Sequence, residues 1–325
     1  MTALAAPRLD RALTLHMMGD WGIANLHRIC GWLAAEMGAR APLASRFAIW
    51  NGRGGADAFA AVLEGRVDTA LFVPAGFART VVEGKGIYRG AGVERLRALA
   101  TLPQDDRLVI CADSALGLHT LDDVRRKRPA LRIAAARDDG ENMTGFATHR
   151  LLEAAGLDRE VLEAWGCRFL EGEAPWDVIP LATSGAADML IFEAVMTPWW
   201  KELLAKRAMT FIPIEDAVLD RLARDYAWAR GTVPASRFEG LAGPFETLDF
   251  SDFLLFGRDD LPDDVAYLMA WCLCETRDTL ESQYRHLKPE DSPVTWPLDP
   301  RRLARTAIPL HPGAERYYRE AGYLD

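Results

Sequence analysis

Arg53 sits inside the turn Asn51-Gly52-Arg53-Gly54-Gly55, between a short apolar strand expected over 47–50 and an Ala-rich helix expected over 57–64. The first N–H groups of a helix lack intrahelical partners and lie at its positive end. A guanidinium beside them makes a seat for a planar anion such as a carboxylate, with Gly54 and Gly55 letting the backbone come close. The same residues also suit a plain strand-to-helix turn with Arg53 at the surface. Two more glycine-bearing turns open helices, Gly19-Asp20-Trp21-Gly22 and Arg137-Asp138-Asp139-Gly140-Glu141-Asn142-Met143-Thr144-Gly145. Asn25 and Thr144 are neutral donors of the kind that fix a ligand's orientation. Asp20 and His27 are titratable, and a histidine near a carboxylate is the minimum equipment for general acid–base work. His27 lies three residues into its helix and equally suits a solvent-facing position.

The elements that must position these residues alternate along the chain. A strand over 12–17 precedes a helix over 24–37 that carries Leu26, Ile29, Leu33 and Met37 at helical spacing. A buried strand over 69–77 follows the helix after Arg53, and strands over 96–102 and 107–112 come next. The pattern restarts with a strand over 131–136, a helix over 146–155, a strand over 167–170 and a helix over 176–183. Gly65-Arg66-Val67-Asp68-Thr69-Ala70-Leu71-Phe72 and Gly185-Ala186-Ala187-Asp188-Met189-Leu190-Ile191-Phe192 share one syntax: helix stop, acidic residue, buried strand. The echo suggests two similarly built α/β lobes with mainly parallel sheets, in which ligands bind beyond the carboxyl ends of the strands. A strand over 250–256 and a helix over 265–279 lead to a proline-rich stretch and the tail.

Composition sets bounds. At 325 residues, 50% hydrophobic and 26% charged, the chain is expected to be globular with one or two cores. Its net charge of -9 speaks against nucleic acid as a partner, since no basic stripe is present. Cys30, Cys111, Cys167, Cys272 and Cys274 sit among apolar neighbours and read as buried, reduced thiols. No G-x-S-x-G, H-E-x-x-H, Walker or Rossmann pattern occurs, and no cofactor or metal is expected. Arg8, Asp10 and Arg11 interrupt the N-terminal apolar run, so a secretory leader is not expected in the sequence as written. Nothing approaches the roughly 20 apolar residues of a membrane span, and direct membrane insertion is not expected. The expected location is cytoplasmic as written, or periplasmic if a leader has been removed.

The tail Ile308-Pro309-Leu310-His311-Pro312-Gly313-Ala314-Glu315-Arg316-Tyr317-Tyr318-Arg319-Glu320-Ala321-Gly322 resembles the C-terminus of solute receptors of the TAXI family, the binding components of one branch of TRAP transporters. Further segments resemble that family in the same order: 96–114, 151–157, Val233-Pro234-Ala235 with Phe238-Glu239-Gly240, and 260–267. The resemblance implies an α/β fold of the two-lobed type II periplasmic-binding-protein-like clamshell class. Residues 1–108 and 256–325 would form one lobe and 109–255 the other, with hinge strands near 107–114 and 249–256. It further implies a small ligand held in the cleft and, if the chain is exported, TRAP membrane subunits as partners.

The ligand loops depart from the family pattern. Gly19-Asp20-Trp21-Gly22 with Asn25 and His27 replaces a Gly- and Thr-rich loop. Arg53 replaces a small residue. Glu141-Asn142-Met143-Thr144-Gly145 keeps only the threonine in register, and Glu193 to Trp199 replaces a glycine-rich turn. The expected ligand contacts are Asp20, Trp21, Asn25, His27, Arg53, Gly54, Gly55, Asn142, Thr144, Glu193 and Trp199, with Trp21 and Trp199 suited to stacking on a flat ligand or to filling the lobe interface. Two functions follow. One is a receptor for a small carboxylate or amino-acid-like ligand. The other is a cytosolic enzyme on the same scaffold, a decarboxylase or hydrolase of a small acid that uses His27 with Asp20 or Glu193. His311 and the Tyr317-Tyr318 pair belong to the scaffold in either case.

Overall fold

The computed structural model describes residues 5–20 and 25–325. Trp21 therefore lies outside the described residues. The chain divides into two compact units, Met1–Asp105 with Ser251–Asp325, and Asp106–Phe250. The crossings fall a few residues before the boundaries at 108 and 255 that the sequence suggests.

The first unit contains β1 (Thr14–Met18), β2 (Arg46–Trp50), β3 (Thr69–Phe72) and β4 (Leu96–Leu102). The second contains β5 (Arg107–Asp113), β6 (Arg132–Ala136), β7 (Arg168–Gly172), β8 (Met189–Phe192), β9 (Met209–Ile212), β10 (Arg230–Val233) and β11 (Phe245–Asp249). The chain then returns to the first unit with β12 (Phe253–Arg258).

Among the described residues the first sheet has the order β2-β1-β3-β12-β4. β1 is parallel to β2 and β3, whereas β12 pairs antiparallel with β3 and β4. The second sheet repeats the plan. β6 lies between β7 and β8, parallel to both, and β5 pairs antiparallel with β8. On its other edge β5 takes β11 near Arg107 and β9 near Asp113, also antiparallel. The parallel arrangement expected from the sequence holds for the strand-helix-strand part of each unit. The crossing and returning strands are antiparallel, so each sheet is mixed.

The internal echo has a physical reason. Asp68 Oδ2 accepts from His16 N at 2.7 Å, and Asp188 Oδ2 accepts from Arg132 N at 2.8 Å. Asp68 N and Asp188 N donate back to the carbonyls of the same two residues, each at 2.8 Å. Each aspartate fixes the register of the third parallel strand against the first. Gly65 (φ +72°) and Gly185 (φ +78°) end the preceding helices in left-handed geometry, which a residue with a Cβ adopts only under strain.

Amphipathic helices cover the sheets. Helix Asn25–Gly38 buries Leu26, Ile29, Leu33 and Met37 against the first unit's core, as its spacing predicts. The second unit has its own core around Val109, Leu190, Phe192 and Trp200. All five cysteines are buried and free of disulfide bonds. No helix among the described residues is long and apolar enough to cross a membrane.

Several boundaries differ from the sequence reading. β3 ends at Phe72 rather than 77 because Pro74 cannot donate to a ladder, and a helical turn begins at Ala75. Helix Met143–Ala154 starts three residues early because Asn142 caps it. The expected strand at 250–256 begins only at Phe253, since Phe250 N is turned to Asp106 O.

The tail motif is structural. Its chain runs beside β4, with Ala98 N donating to Pro309 O and His311 N to Ala98 O, both at 2.8 Å. His311 Nδ1 caps Gly313 N at 3.2 Å, Pro312 opens helix Pro312–Glu320, and a Cβ on Gly313 would lie 2.1 Å from Asp263 O. Tyr317 and Tyr318 are fully buried, their hydroxyls donating to Glu275 Oε1 and Leu99 O.

Asp188 also accepts from Arg132 Nε at 2.9 Å and Nη2 at 2.6 Å. Hydrogen bonding from Arg132 is the main cause that holds its carboxyl below the usual range. The unfolded chain therefore takes up that proton first as pH falls. The stability contributed is complete above the ordinary Asp value of about 4 and fades below it. Asp188→Asn should cost about 1–2 kcal/mol at pH 7. Urea midpoints of wild type and variant should converge in acid, and curves that stay parallel would refute the clamp.

Candidate functional site

In the first unit Met18 lies opposite Trp50 across the parallel pair, so the turns after β1 and β2 start together. Gly19 N donates to Trp50 O at 3.1 Å, and Val73 N, after β3, donates to Gly54 O at 3.4 Å. A Cβ on Gly19 would come within 2.5 Å of His27 Cα, and one on Gly52 within 2.8 Å of Gly19 O. These close approaches require glycine and bring three turns to one end of the sheet.

Arg53 is half-buried in this group. Its backbone N donates to Asp57 Oδ2 at 2.6 Å, and Gly55 N donates to Asp57 Oδ1 at 3.0 Å. The carboxylate of Asp57, in the first turn of helix Ala56–Leu63, occupies the seat that the sequence offers to an outside anion. The expected outward-facing amides at 53 and 55 are thus taken, because a carboxylate two residues into the helix reaches back over its open end. Gly54 takes φ +70° to make the turn.

Asp20 is 5% exposed, and its Oδ1 accepts from His27 N at 2.9 Å. Burial pushes its carboxyl up to about 6, against the pull of backbone donors including His27 and Leu26. The contact with His27 is to the backbone, not the imidazole. His27 is half-buried, with Nδ1 buried and without a hydrogen-bond partner. Asn25 is committed at both ends of its amide: Nδ2 donates to Pro293 O at 3.2 Å, and Oδ1 accepts from the Tyr284 hydroxyl. It ties the start of its helix to the C-terminal segment.

The second unit repeats the gathering. Arg137 N, after β6, donates to Gly172 O at 3.0 Å. A Cβ on Gly145 would lie 2.0 Å from Arg137 O. Asn142 is 4% exposed; its Oδ1 accepts from Gly145 N at 3.0 Å, and its Nδ2 donates to Glu173 O at 2.8 Å after β7. It is a helix cap and a loop tie. Thr144, half-buried in the first turn of the same helix, has no hydroxyl partner among the described residues. Glu141 is exposed.

Glu193, just after β8, forms a side-chain hydrogen bond with Asp106, which is 1% exposed. Burial raises the Asp106 carboxyl, opposed by that bond and by backbone donors. Asp106 Oδ2 accepts from Ala194 N at 3.0 Å, and Oδ1 from Val195 N at 3.1 Å and Arg107 N at 2.7 Å. Ala194 takes φ +63°, which turns successive amides toward one carboxylate. Trp200 Nε1 donates to Glu193 O at 2.8 Å, and Trp199 lies against Trp176 with ring centroids 6.0 Å apart. Asp106 and Asp57 were not among the residues singled out from the sequence. An aspartate at the start of a strand or in the first turn of a helix is the signal that marks them.

Asp20 offers a direct check. Its raised value means that the folded chain holds the proton longer than the unfolded one, so stability falls as pH rises from about 4 to about 6. Asp20→Asn keeps an acceptor for His27 N and lacks the charge. Wild type should lose about 2–3 kcal/mol relative to this variant across that window. Denaturant titrations at pH 4 and pH 7 measure it, and an unchanged difference refutes the burial of a charged Asp20.

Similar folds are found among solved structures. MatC from Rhodopseudomonas palustris with bound malate is 15% identical, covering 97% of this chain and 99% of that one with a TM-score of 0.53. XAC2383 from Xanthomonas citri bound to chloride ion is 13% identical, covering 95% and 99% with a TM-score of 0.51. These likenesses identify the fold as type II periplasmic-binding-protein-like. The profile of the NMT1-like family matches residues 43–322. With most of its length so matched, the chain belongs to the NMT1-like family.

Proposed function

We propose that the chain is a solute-binding protein whose strand-end turns take up a small carboxylate-bearing or amino-acid-like ligand. One observation carries the reading. Both units set three turns at the C-terminal ends of parallel strands in the same order, and such ends are where α/β sheets bind ligands. In the first unit Arg53 supplies the cation from a turn that Asp57 holds in shape. In the second, the Thr144 hydroxyl stands uncommitted in the first turn of a helix, where an anion is favoured. Trp199 supplies an aromatic surface.

Within this reading, the similarity of the tail to TAXI receptors supports TRAP membrane subunits as partners and a periplasmic location when the chain is exported. A panel of monocarboxylates, dicarboxylates and amino acids, headed by the malate bound in MatC, tests it by thermal shift and calorimetry. One ligand class should saturate a single site. Arg53→Ala should weaken that binding about tenfold. No stabilisation by any member of a broad panel rejects the reading.

The second reading, an acid–base enzyme, draws on the raised carboxyl of buried Asp20 beside His27, whose Nδ1 lacks a partner. Glu193 would be the other carboxyl. Turnover of small aliphatic or aromatic acids by wild type but not by His27→Ala would support it. Equal or absent turnover in both would exclude it.

A further inference from the structure

We infer that Gln104 reads a hydrogen-bond donor on the ligand, so that the carboxylate-bearing solute of the proposed function also carries a hydroxyl or ammonium group. The inference rests on that reading and narrows the ligand class.

Gln104 follows β4 by two residues, and hydrogen bonds fix its place. Leu102 of β4 lies opposite Phe253 of β12, and the adjoining Leu254 lies opposite Phe72 of β3. The end of β4 therefore belongs to the same end of the sheet as the gathered turns. Gln104 N donates to Asp252 Oδ1 at 3.0 Å, and Asp252 O accepts from Ala75 N at 2.8 Å in the turn after β3. Arg302 Nη2 holds the same Asp252 Oδ1 at 2.8 Å.

Gln104 is 7% exposed. Its Nε2 donates to Pro293 O at 3.3 Å, the carbonyl that also accepts Asn25 Nδ2 at 3.2 Å beside the first turn. Rotating the amide would set two oxygens against each other, so the partner fixes which atom is which. The other end, Oε1, is buried and has no protein partner. An acceptor shut away from solvent destabilises the fold unless something donates to it. The neighbouring segment shows the same lack. Thr295 N donates to Pro103 O at 2.8 Å, yet Thr295 Oγ1 and Trp296 Nε1 are buried without partners. His27 Nδ1 is another such atom. Gln104 Oε1, Thr295 Oγ1, Trp296 Nε1 and His27 Nδ1 are thus four unmatched polar atoms near this end of the first unit's sheet. A carbonyl oxygen accepts only from N–H or O–H, which selects hydroxy acids and amino acids over plain acids.

Pairs of acids that differ only in the donor test this: malate against succinate, glutamate against glutarate, lactate against propionate. Calorimetric Kd values are measured on the full chain and on Gln104→Met, which keeps the length and removes the acceptor. Wild type should prefer the donor-bearing member of at least one pair by about tenfold or more, as a site built around a hydrogen bond does. The malate and glutamate pairs separate hydroxyl from ammonium. Gln104→Met should lose the preference through weaker binding of the donor-bearing acid alone, and its unliganded Tm should match or exceed that of wild type. Equal binding within every pair by wild type, or a preference that survives Gln104→Met, overturns the inference and leaves the carboxylate reading standing. A lower unliganded Tm with both members of a pair weakened alike assigns Gln104 to the scaffold and also overturns it. If none of the acids binds, the carboxylate reading itself falls, and this inference with it.

Discussion

The carboxylates of Asp68 and Asp188 fix the geometry from which everything else follows. Each reaches across from the start of a third parallel strand to a backbone amide of the first, while the aspartate's own amide donates back to the same residue. A strand slipped by one residue would present its core side chains to the wrong face and end one residue early or late. Holding register at the N-terminal end therefore decides which residues emerge at the C-terminal end. In the first unit these are Gly19 and Gly52, whose missing Cβ atoms let the turns touch. In the second, Gly145 packs against Arg137 O in the same way.

A similar device holds the turns themselves. Asp57 collects the amides of Arg53 and Gly55, Asp20 takes that of His27, and Asp106 takes those of Arg107, Ala194 and Val195. Each carboxylate satisfies donors that a helix start or a tight turn would otherwise leave open. The arrangement also limits ligand chemistry. An anion arriving at the first unit's turn cannot use the amides at 53 and 55, because an internal carboxylate already does. Under the proposed function it would use side chains, with the Arg53 guanidinium as the relevant group rather than the dipole of the helix behind it.

The sequence made the parallel half of each unit legible because hydrophobic period, glycine stops and strand-start aspartates are local signals. The repeated Gly-to-Phe segments led directly to β3 and β8. The strands β9, β10 and β11 were not legible, since four- and five-residue strands on the flank of a sheet carry little pattern of their own. Nor could the sequence say where a carboxylate would be used. Asp106 meets amides far along the chain, and only the fold brings them together. Asn25 and Asn142, expected as ligand contacts, spend their amides on the scaffold, one on Pro293 and Tyr284 and the other on Gly145 and Glu173.

The tail motif is set by packing. Its His-Pro-Gly sequence is a cap, a first-turn proline and a contact too close for a Cβ, and its two tyrosines fill the core. Such constraints tolerate few substitutes. Ligand choice is subject to a different constraint. A polar atom already bonded to the scaffold cannot discriminate between solutes, because it makes the same bond with or without them. Under the proposed function, discrimination falls to an atom the fold positions and then leaves unmatched, Gln104 Oε1. Pro103-Gln104, between two strands, carries no motif that would announce it. Its significance lies in one carbonyl oxygen that folding buries without a donor.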